Sequence, residues 1–387
     1  MPYLLAAVLF FGILTLWAPG YWPVAVFEVG MFGLAVVALF RWGRTPPRFV
    51  YPLAPLMFAV FWALFQWGTG RTVSPFETRI ALARWAALLA VFVTGWLLFQ
   101  DQRVHRWFRS AMLWFGFLVA VEATLQVFTA GGKIFWIFQT ENIVRVMGPI
   151  LYYNHYAAFI EAVLPLAIYG SMTSKRDSLL YSCMAAAMYA SVIAAASRAG
   201  FVLASTEIVV VTALLWLQGR TSGRAVGRSL LRVVLLLAVF TTVVGWGRVW
   251  ERLETPDPFA TRREFNISSM RMIAARPGFG SGLGTWPVVY PAYAIIDTGT
   301  FANRAHADWL EWTAEGGLPF GIAMATLFVW CLRPAFGSVW GVGVVAVFLH
   351  AIVDYPFSRP ALAGWTVVMI ALLATRTNPA GAEFEGR

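Results

Sequence analysis

The chain has 387 residues, of which 59% are hydrophobic and only 12% are charged. Soluble domains carry roughly 25% charged residues, so this composition excludes an ordinary water-soluble protein and predicts a membrane protein. The net charge of +10 raises nucleic-acid binding as an alternative. The basic residues cluster in short loops between apolar runs, however, a pattern that favours membrane topology over a nucleic-acid surface.

Twelve apolar runs reach or approach the roughly 20 residues that a helix needs to cross a bilayer. They cover residues 3–18, 22–40, 50–68, 79–99, 110–130, 149–171, 178–196, 199–217, 229–247, 314–332, 336–354 and 360–376. The first run lacks the basic start of a secretory signal and is interpreted as a retained span. The predicted fold is therefore an all-α polytopic membrane protein of about 12 transmembrane helices.

The positions of lysine and arginine predict the orientation of these spans. One set of alternate loops and the two ends of the chain together hold 15 basic residues and four acidic ones. Because basic loops stay in the cytoplasm, both termini are expected there, in a multi-pass protein of the bacterial inner membrane. The chain then divides into spans 1–9 (1–247), one extracytoplasmic loop (248–313), and spans 10–12 with a short tail (314–387).

The segment 248–313 is expected on the periplasmic side and has balanced charge, with seven basic and seven acidic residues. Connections of this length are uncommon and usually functional. The rest of the chain offers no soluble domain of useful size. The site is therefore expected in this loop and at the ends of the helices beside it.

Two arginine motifs are candidates for binding an anion. Arg198, in Ser197-Arg198-Ala199-Gly200, sits among apolar residues, where a charge is costly and usually functional. Snorkelling to lipid phosphates is the alternative. Thr261-Arg262-Arg263-Glu264 fits a capping box that starts a short helix ending at Pro277-Gly278. Two arginines in the first turn of a helix favour an anionic partner, and an ordinary solvated charge pair is the alternative.

Two further motifs follow in the loop. The run from Gly278 to Trp286 has four glycines in its first seven residues, which permits tight turns, but it is not a phosphate-binding P-loop. His306-Ala307-Asp308 lies near the tenth span. Histidine titrates near neutrality and can take a proton from a hydroxyl, although it could equally satisfy a helix end.

Polar residues also occur inside predicted spans. Asn154, His155 and Glu161 lie in the sixth span, where Glu161 is expected to pair with an arginine. His350 and Asp354 form an i, i+4 pair at the end of the eleventh span and are interpreted mainly as structural.

The sequence predicts neither a metal nor another cofactor. Its two cysteines, Cys183 and Cys331, lie in apolar runs, and its four histidines are too scattered for zinc-ligand spacing. It has no Asp-x-Asp pair for a metal-bound nucleotide sugar. A glycan donor used outside the cytoplasm would have to be activated on the membrane, and a lipid diphosphate matches the forked geometry of arginine.

Taken together, these motifs resemble the O-antigen ligase and O-antigen polymerase superfamily of integral-membrane glycosyltransferases. The resemblance covers about 150–360 in scattered blocks. Its blocks are Tyr153–Ala158 with Pro165-Leu166, Ser197–Gly200, Arg262, Arg276–Gly282, His306–Leu310, Glu315–Leu318 and His350–Pro356. This sequence has Ala307 and Trp309 where the common form reads His-Asn-Asp-Tyr.

The resemblance implies a metal-independent, inverting transfer from an undecaprenyl-diphosphate-linked glycan to an acceptor hydroxyl. It implies that Arg198 and Arg262 hold the diphosphate, with Arg263 as an alternative to Arg262, and that His306 acts in catalysis. The remaining candidate substrate-binding residues are Arg276, Gly280, Gly282 and Asp308. The acceptor could be lipid A-core, a second lipid-linked repeat unit or a protein hydroxyl. A transporter of the lipid-linked glycan is the alternative from a different class.

Overall fold

The computed structural model describes residues 1–42, 48–139, 147–244, 260–296 and 301–375. Its elements in these residues are helices and turns, with two isolated β-bridges. The α-helices in chain order are α1 (Pro2–Leu14), α2 (Trp22–Trp42), α3 (Leu53–Gly68), α4 (Pro75–Leu98), α5 (Gln102–Thr129), α6 (Tyr153–Thr173), α7 (Ser178–Ala195), α8 (Arg198–Leu217), α9 (Gly223–Val244), α10 (Ala260–Ala275), α11 (Trp286–Val289), α12 (Asp308–Gly337), α13 (Val342–His350) and α14 (Pro360–Ala374). The predicted all-helical class is confirmed.

A helix overlaps each of the twelve predicted runs. Seven helices of the described chain are long and apolar enough to cross a membrane, namely α2, α4, α5, α6, α7, α8 and α12. Shorter apolar helices occupy the first, third and last two runs. The number of twelve spans stays a prediction. Helix α12 corresponds to the tenth predicted span. It begins at Asp308 rather than at 314, so it includes the end of the predicted loop.

Helix α6 lies at the centre of the bundle and is buried along almost its whole length. Two glycines allow its neighbours to approach closely. A side chain at Gly200 on α8 would meet the Cβ atom of Ala157 at 2.4 Å, and one at Gly343 on α13 would meet the Glu161 carbonyl oxygen at 2.6 Å. Gly200 therefore allows α8 to pack closely against α6.

The partner of Glu161 differs from the expectation. Both of its carboxylate oxygens lie 2.9 Å from Nδ1 of His350, and neither side chain has any exposed surface. A histidine on α13 therefore replaces the expected arginine. Burying a single charge in apolar surroundings would be costly, whereas this pair gives the Glu161 carboxylate a hydrogen-bond partner across the α6–α13 contact.

The described part of the loop folds onto α12 through its own small core. Phe265 and Met272 of α10 are buried against Trp286 and Tyr290, so one face of this helix forms part of that core. Glu264 does not act as the predicted capping residue, since α10 already begins at Ala260. It is buried and accepts hydrogen bonds from the Tyr290 hydroxyl at 2.6 Å and the Ile295 backbone N–H at 3.1 Å.

The glycine-rich run fastens this loop to a kink in α12. At Gly317 the backbone leaves helical geometry, with φ of 72°. The Gly282 N–H donates to the Glu315 carbonyl at 2.9 Å, and the Glu315 carboxylate accepts from the backbone N–H groups of Gly284 and Trp286 at 2.8 Å each. Glu315 thus fixes both ends of the turn against the membrane helix.

We predict that this fastened loop faces away from the cytoplasm. A reporter that is active only outside the cytoplasm, inserted near residue 290, should be active, and one inserted near Lys175 should be silent. The alternation of basic loops is the reason. An active cytoplasmic reporter near 290 would reverse the predicted orientation of the whole bundle.

Candidate active site

The carboxylate of Asp354 is the centre of a polar cluster at the end of α13. It is 1% exposed, and it binds three groups from distant parts of the chain. Its Oδ2 atom accepts hydrogen bonds from the Tyr152 hydroxyl at 3.2 Å, from Arg262 Nη2 at 3.1 Å and from the amide of Asn154. Its Oδ1 atom accepts from the Tyr355 backbone N–H at 2.9 Å. The cluster therefore joins α6, α10 and the α13–α14 connection.

Arg262 is the cation of this cluster. In addition to its bond with Asp354, its Nη2 group donates to the Tyr152 hydroxyl at 3.3 Å. Burial alone would lower the pKa of Arg262, but the neighbouring Asp354 and Tyr152 outweigh it and raise that pKa. The guanidinium is therefore permanently charged. Its position is fixed on one edge by a carboxylate and a hydroxyl.

A cavity of about 410 Å³ opens beside this arginine. We call it the Arg262 cavity; its lining is Arg262, Arg263, Asn266, Ile267, Met270, His306, Ile352 and Val353. Both arginines come from α10, while half of the lining is aliphatic. Met270, Ile352 and Val353 are also partly exposed on the outside of the bundle. A ligand with a charged head and an apolar chain matches this lining.

His306 borders the same cavity in an unusual backbone conformation, with φ of 54°. Non-glycine residues rarely adopt positive φ, and such positions cluster at functional sites. Its ring stacks on Phe265 at 5.8 Å between centroids and meets Tyr355 edge-on at 4.7 Å. Its buried Nδ1 atom has no hydrogen-bond partner among the described residues.

The charge state of His306 follows from its surroundings. Burial lowers its pKa below the usual 6.5, Asp354 opposes that shift, and Arg262 reinforces it. The lowered pKa keeps the ring neutral at pH 7. A neutral imidazole with a free nitrogen can accept a proton, which a permanently charged side chain cannot do.

Arg198 lies close to the cluster through its neighbour. Ser197 caps α8 by accepting from the Gly200 N–H at 3.1 Å, and its hydroxyl donates to the Asn154 amide oxygen at 2.7 Å. Asn154 in turn binds Asp354. The start of α8 is therefore anchored two hydrogen bonds from Asp354, although Arg198 itself is not part of the lining of the Arg262 cavity.

Arg198→Lys distinguishes a role in ligand binding from contact with lipid phosphates. If Arg198 binds a diphosphate through its planar fork, turnover should fall by about 10²-fold, as for loss of one anion-stabilising donor. Turnover in detergent with purified substrates is the measurement. Near-normal turnover would assign the side chain to membrane anchoring.

The other predicted site residues lie elsewhere. Arg276 and Gly280 border a separate cavity of about 520 Å³ together with Arg71. Gly282 is packed so tightly that a side chain there would meet the Thr72 hydroxyl oxygen at 2.1 Å. Asp308 is 1% exposed and accepts from the Phe357 backbone N–H at 2.8 Å. The structure thus gives Gly282 and Asp308 packing roles. It brings Arg262, Arg263 and His306 together in one cavity and Arg276 and Gly280 in another.

Residues 183–325 match the family model described as O-antigen ligase. Over this segment, which is less than half of the chain, the protein is similar to the O-antigen ligase family. The resemblance expected from the sequence motifs is confirmed. The match includes Arg198, Arg262 and His306, whereas Tyr152 and Asp354 lie outside it. No curated protein is a significant match to the chain.

The family match and the helices describe a multi-pass membrane protein with a function of the O-antigen ligase or polymerase type. The site geometry adds residues that sequence reasoning missed. Tyr152 was not singled out, and Asp354 was interpreted as structural. Their signal was the group of polar residues at the ends of two apolar helices, namely Tyr152 to His155 at one and His350, Asp354 and Tyr355 at the other.

Proposed function

We propose that this chain is a periplasmic-side glycosyltransferase of the inner membrane that transfers a glycan from undecaprenyl diphosphate to an acceptor hydroxyl. The observation that carries the proposal is the Arg262 cavity. Its arginines suit a diphosphate, because guanidinium groups bind phosphate oxygens in pairs. Its aliphatic side, formed by Ile267, Met270 and Ile352, suits the start of a polyprenyl chain.

The reaction we propose is a direct displacement with inversion. The acceptor hydroxyl attacks the anomeric carbon, the bond from that carbon to the diphosphate oxygen breaks, and the diphosphate leaves with the electron pair. Arg262 stabilises the negative charge that develops on the leaving group. Asp354 and Tyr152 keep the guanidinium in place, so little reorganisation is needed during the reaction.

His306 receives the hydroxyl proton in this proposal. Its ring borders the cavity, it is neutral at pH 7, and its Nδ1 atom has no partner among the described residues. General-base assistance of this kind contributes about 10²–10⁴-fold to enzymatic rates. The proton would then leave the imidazole to the solvent or to the departing diphosphate.

Lipid A-core is the acceptor we propose, as in an O-antigen ligase. A second lipid-linked repeat unit would make the chain a polymerase, and a serine or threonine hydroxyl would make it a protein O-oligosaccharyltransferase. The same donor cavity serves all three. A lipid-linked glycan transporter is less well supported, because the described site charges gather at one end of the bundle and the buried Glu161–His350 pair is fully packed.

Transfer by the purified protein tests this proposal directly. With an undecaprenyl-diphosphate-linked glycan and each acceptor in turn, we expect glycan transfer to lipid A-core and release of undecaprenyl diphosphate. The same rate should be measured after exhaustive chelation, because arginines neutralise the diphosphate in this mechanism. Activity that is lost to a chelator and restored by magnesium or manganese would contradict it. Movement of intact donor across vesicle membranes without transfer would favour the transporter.

A further inference from the structure

A second cavity lies on the other side of the Asp354 cluster. It measures about 200 Å³ and lies between the end of α1, the residues before α6 and the residue that precedes α14. Its lining includes Trp17, Tyr152, His155 and Arg359. We call it the His155 cavity. None of these residues was predicted to form a substrate site.

The two cavities meet at one carboxylate and one tyrosine. Asp354 Oδ2 lies 3.1 Å from Arg262 Nη2, while Oδ1 lies 3.7 Å from His155 Nε2. Tyr152 borders the His155 cavity and also accepts a hydrogen bond from Arg262. A ligand in either cavity would therefore lie beside a residue that is hydrogen-bonded to Asp354.

The histidines show the same division. His306 borders the Arg262 cavity and His155 borders the other one. Both rings meet Tyr355 edge-on, with centroid separations of 4.7 Å and 4.6 Å. A single aromatic ring therefore separates the histidine of one cavity from the histidine of the other.

His155 is a buried polar side chain with one ring nitrogen that lacks a hydrogen-bond partner in the part of the chain that the structure describes. It is 2% exposed, and its Nε2 atom forms no hydrogen bond with the described residues. Because His155 also borders a cavity, its ring is placed to meet a ligand group that can donate or accept a hydrogen bond. A sugar hydroxyl can do both.

We propose that the His155 cavity is a subsite for a sugar of the acceptor glycan, next to the sugar that presents the attacking hydroxyl to His306 and the Arg262 cavity. This inference rests on the proposed function and adds to it the place and chemistry of the acceptor. Displacement with inversion requires the hydroxyl to approach from the side opposite the leaving diphosphate. The attacking hydroxyl must itself reach the anomeric carbon and His306, so the sugar in the His155 cavity positions the acceptor and does not react.

The lining also defines the class of acceptor. Trp17 and Tyr152 offer flat apolar surface with polar edges, suited to the face of a sugar ring. Arg359 is exposed at the rim and carries a permanent charge, which favours a phosphate or carboxylate on the acceptor. The volume is small, so one sugar ring enters and the rest of the acceptor stays outside. The structure thus favours an acidic glycan over a bare protein hydroxyl.

Cysteine protection measures occupancy of each cavity without relying on turnover. Ala18 and Val353 are small, partly accessible residues that border the His155 and Arg262 cavities respectively. Ala18→Cys and Val353→Cys variants are treated with a small maleimide, and modification of each cysteine is followed by mass spectrometry. The probes are lipid A-core, a free oligosaccharide repeat unit and undecaprenyl diphosphate.

We expect lipid A-core or the free repeat unit to slow modification of Ala18→Cys several-fold and to leave Val353→Cys unaffected. Undecaprenyl diphosphate should do the reverse. If it protects Val353→Cys while neither acceptor probe protects Ala18→Cys, the acceptor assignment is overturned and the donor site stands. If undecaprenyl diphosphate does not protect Val353→Cys, the proposed function itself fails.

A kinetic experiment separates binding from structural damage. Arg359→Gln should raise the KM for lipid A-core about tenfold, the effect of losing one charge-assisted hydrogen bond, with the KM for the lipid-linked donor unchanged. Arg333→Gln, which changes an arginine of the predicted cytoplasmic side, is the matched control and should alter neither. A raised donor KM with an unchanged acceptor KM in Arg359→Gln would overturn the assignment.

Discussion

Replacing Arg262 with lysine is expected to lower turnover by about 10²-fold, the size of effect seen when one preorganised donor to a developing anion is lost. Lysine keeps the charge but loses the planar fork that bridges two oxygens. It also cannot hold Asp354 and Tyr152 on one edge while presenting donors to a ligand on another. Turnover of purified variants with a lipid-linked donor is the measurement, and donor binding should weaken less than turnover falls.

Arg263→Lys is the matched control for this change. Arg263 borders the same cavity, but it is an exposed residue, whereas only 23% of the Arg262 side chain is exposed. We therefore expect a change of less than tenfold, the range for a screened surface charge. A large loss in Arg263→Lys with a small one in Arg262→Lys would move the diphosphate contact by one residue. Equal small losses would remove both from the mechanism.

The same geometry explains which parts of the structure could be predicted from the sequence. Long apolar runs specify helices through local composition, so a helix overlaps every predicted run. Run lengths do not specify where a helix ends when polar residues continue it. Helix α12 starts at Asp308 because its two glutamates face protein partners. Glu311 pairs with the side chain of Arg304, and Glu315 accepts from the backbone of the glycine-rich turn.

The candidate site was predictable only in part, because its bonds join residues far apart in the chain. Arg262 and His306 stand out as charged or titratable residues in a long loop. Asp354 does not stand out, since nothing near it in sequence shows that it will bind Tyr152 and Arg262, which are 202 and 92 positions away. Such contacts depend on how the helices pack, and the pattern along one chain carries no record of that packing.

At the glycine-rich turn the sequence predicted substrate-binding residues, whereas the structure shows contacts within the protein. Four closely spaced glycines indicate close backbone approach, but they do not reveal what approaches. At Gly280, which has φ of 70°, the approaching group is the Glu315 carbonyl of α12, only 2.2 Å from where a Cβ atom would lie. The sequence suggested a ligand there because a ligand and a protein backbone require the same absence of a side chain.

The pH dependence of turnover should identify the role of His306. If the ring is the base, the rate should fall as pH drops through its pKa, because protonation removes the acceptor. Burial and Arg262 lower that pKa and Asp354 only partly restores it, so this fall should occur below the ordinary 6.5. If the ring instead holds the diphosphate as a cation, the rate should fall as pH rises through the same value. The neutral ring at pH 7 makes us expect the first profile.

Substitutions at His306 separate the two roles without a pH scan. His306→Ala should lose most turnover yet still bind the lipid-linked donor, since Arg262 remains fixed by Asp354 and Tyr152. The buried Nδ1 atom is then gone, and nothing else described in the cavity lining can accept a proton as readily near neutral pH. His306→Lys and His306→Arg restore a cation but no base at that pH. If either retained full turnover, the base role would be eliminated and residue 306 would act as a further cation beside Arg262.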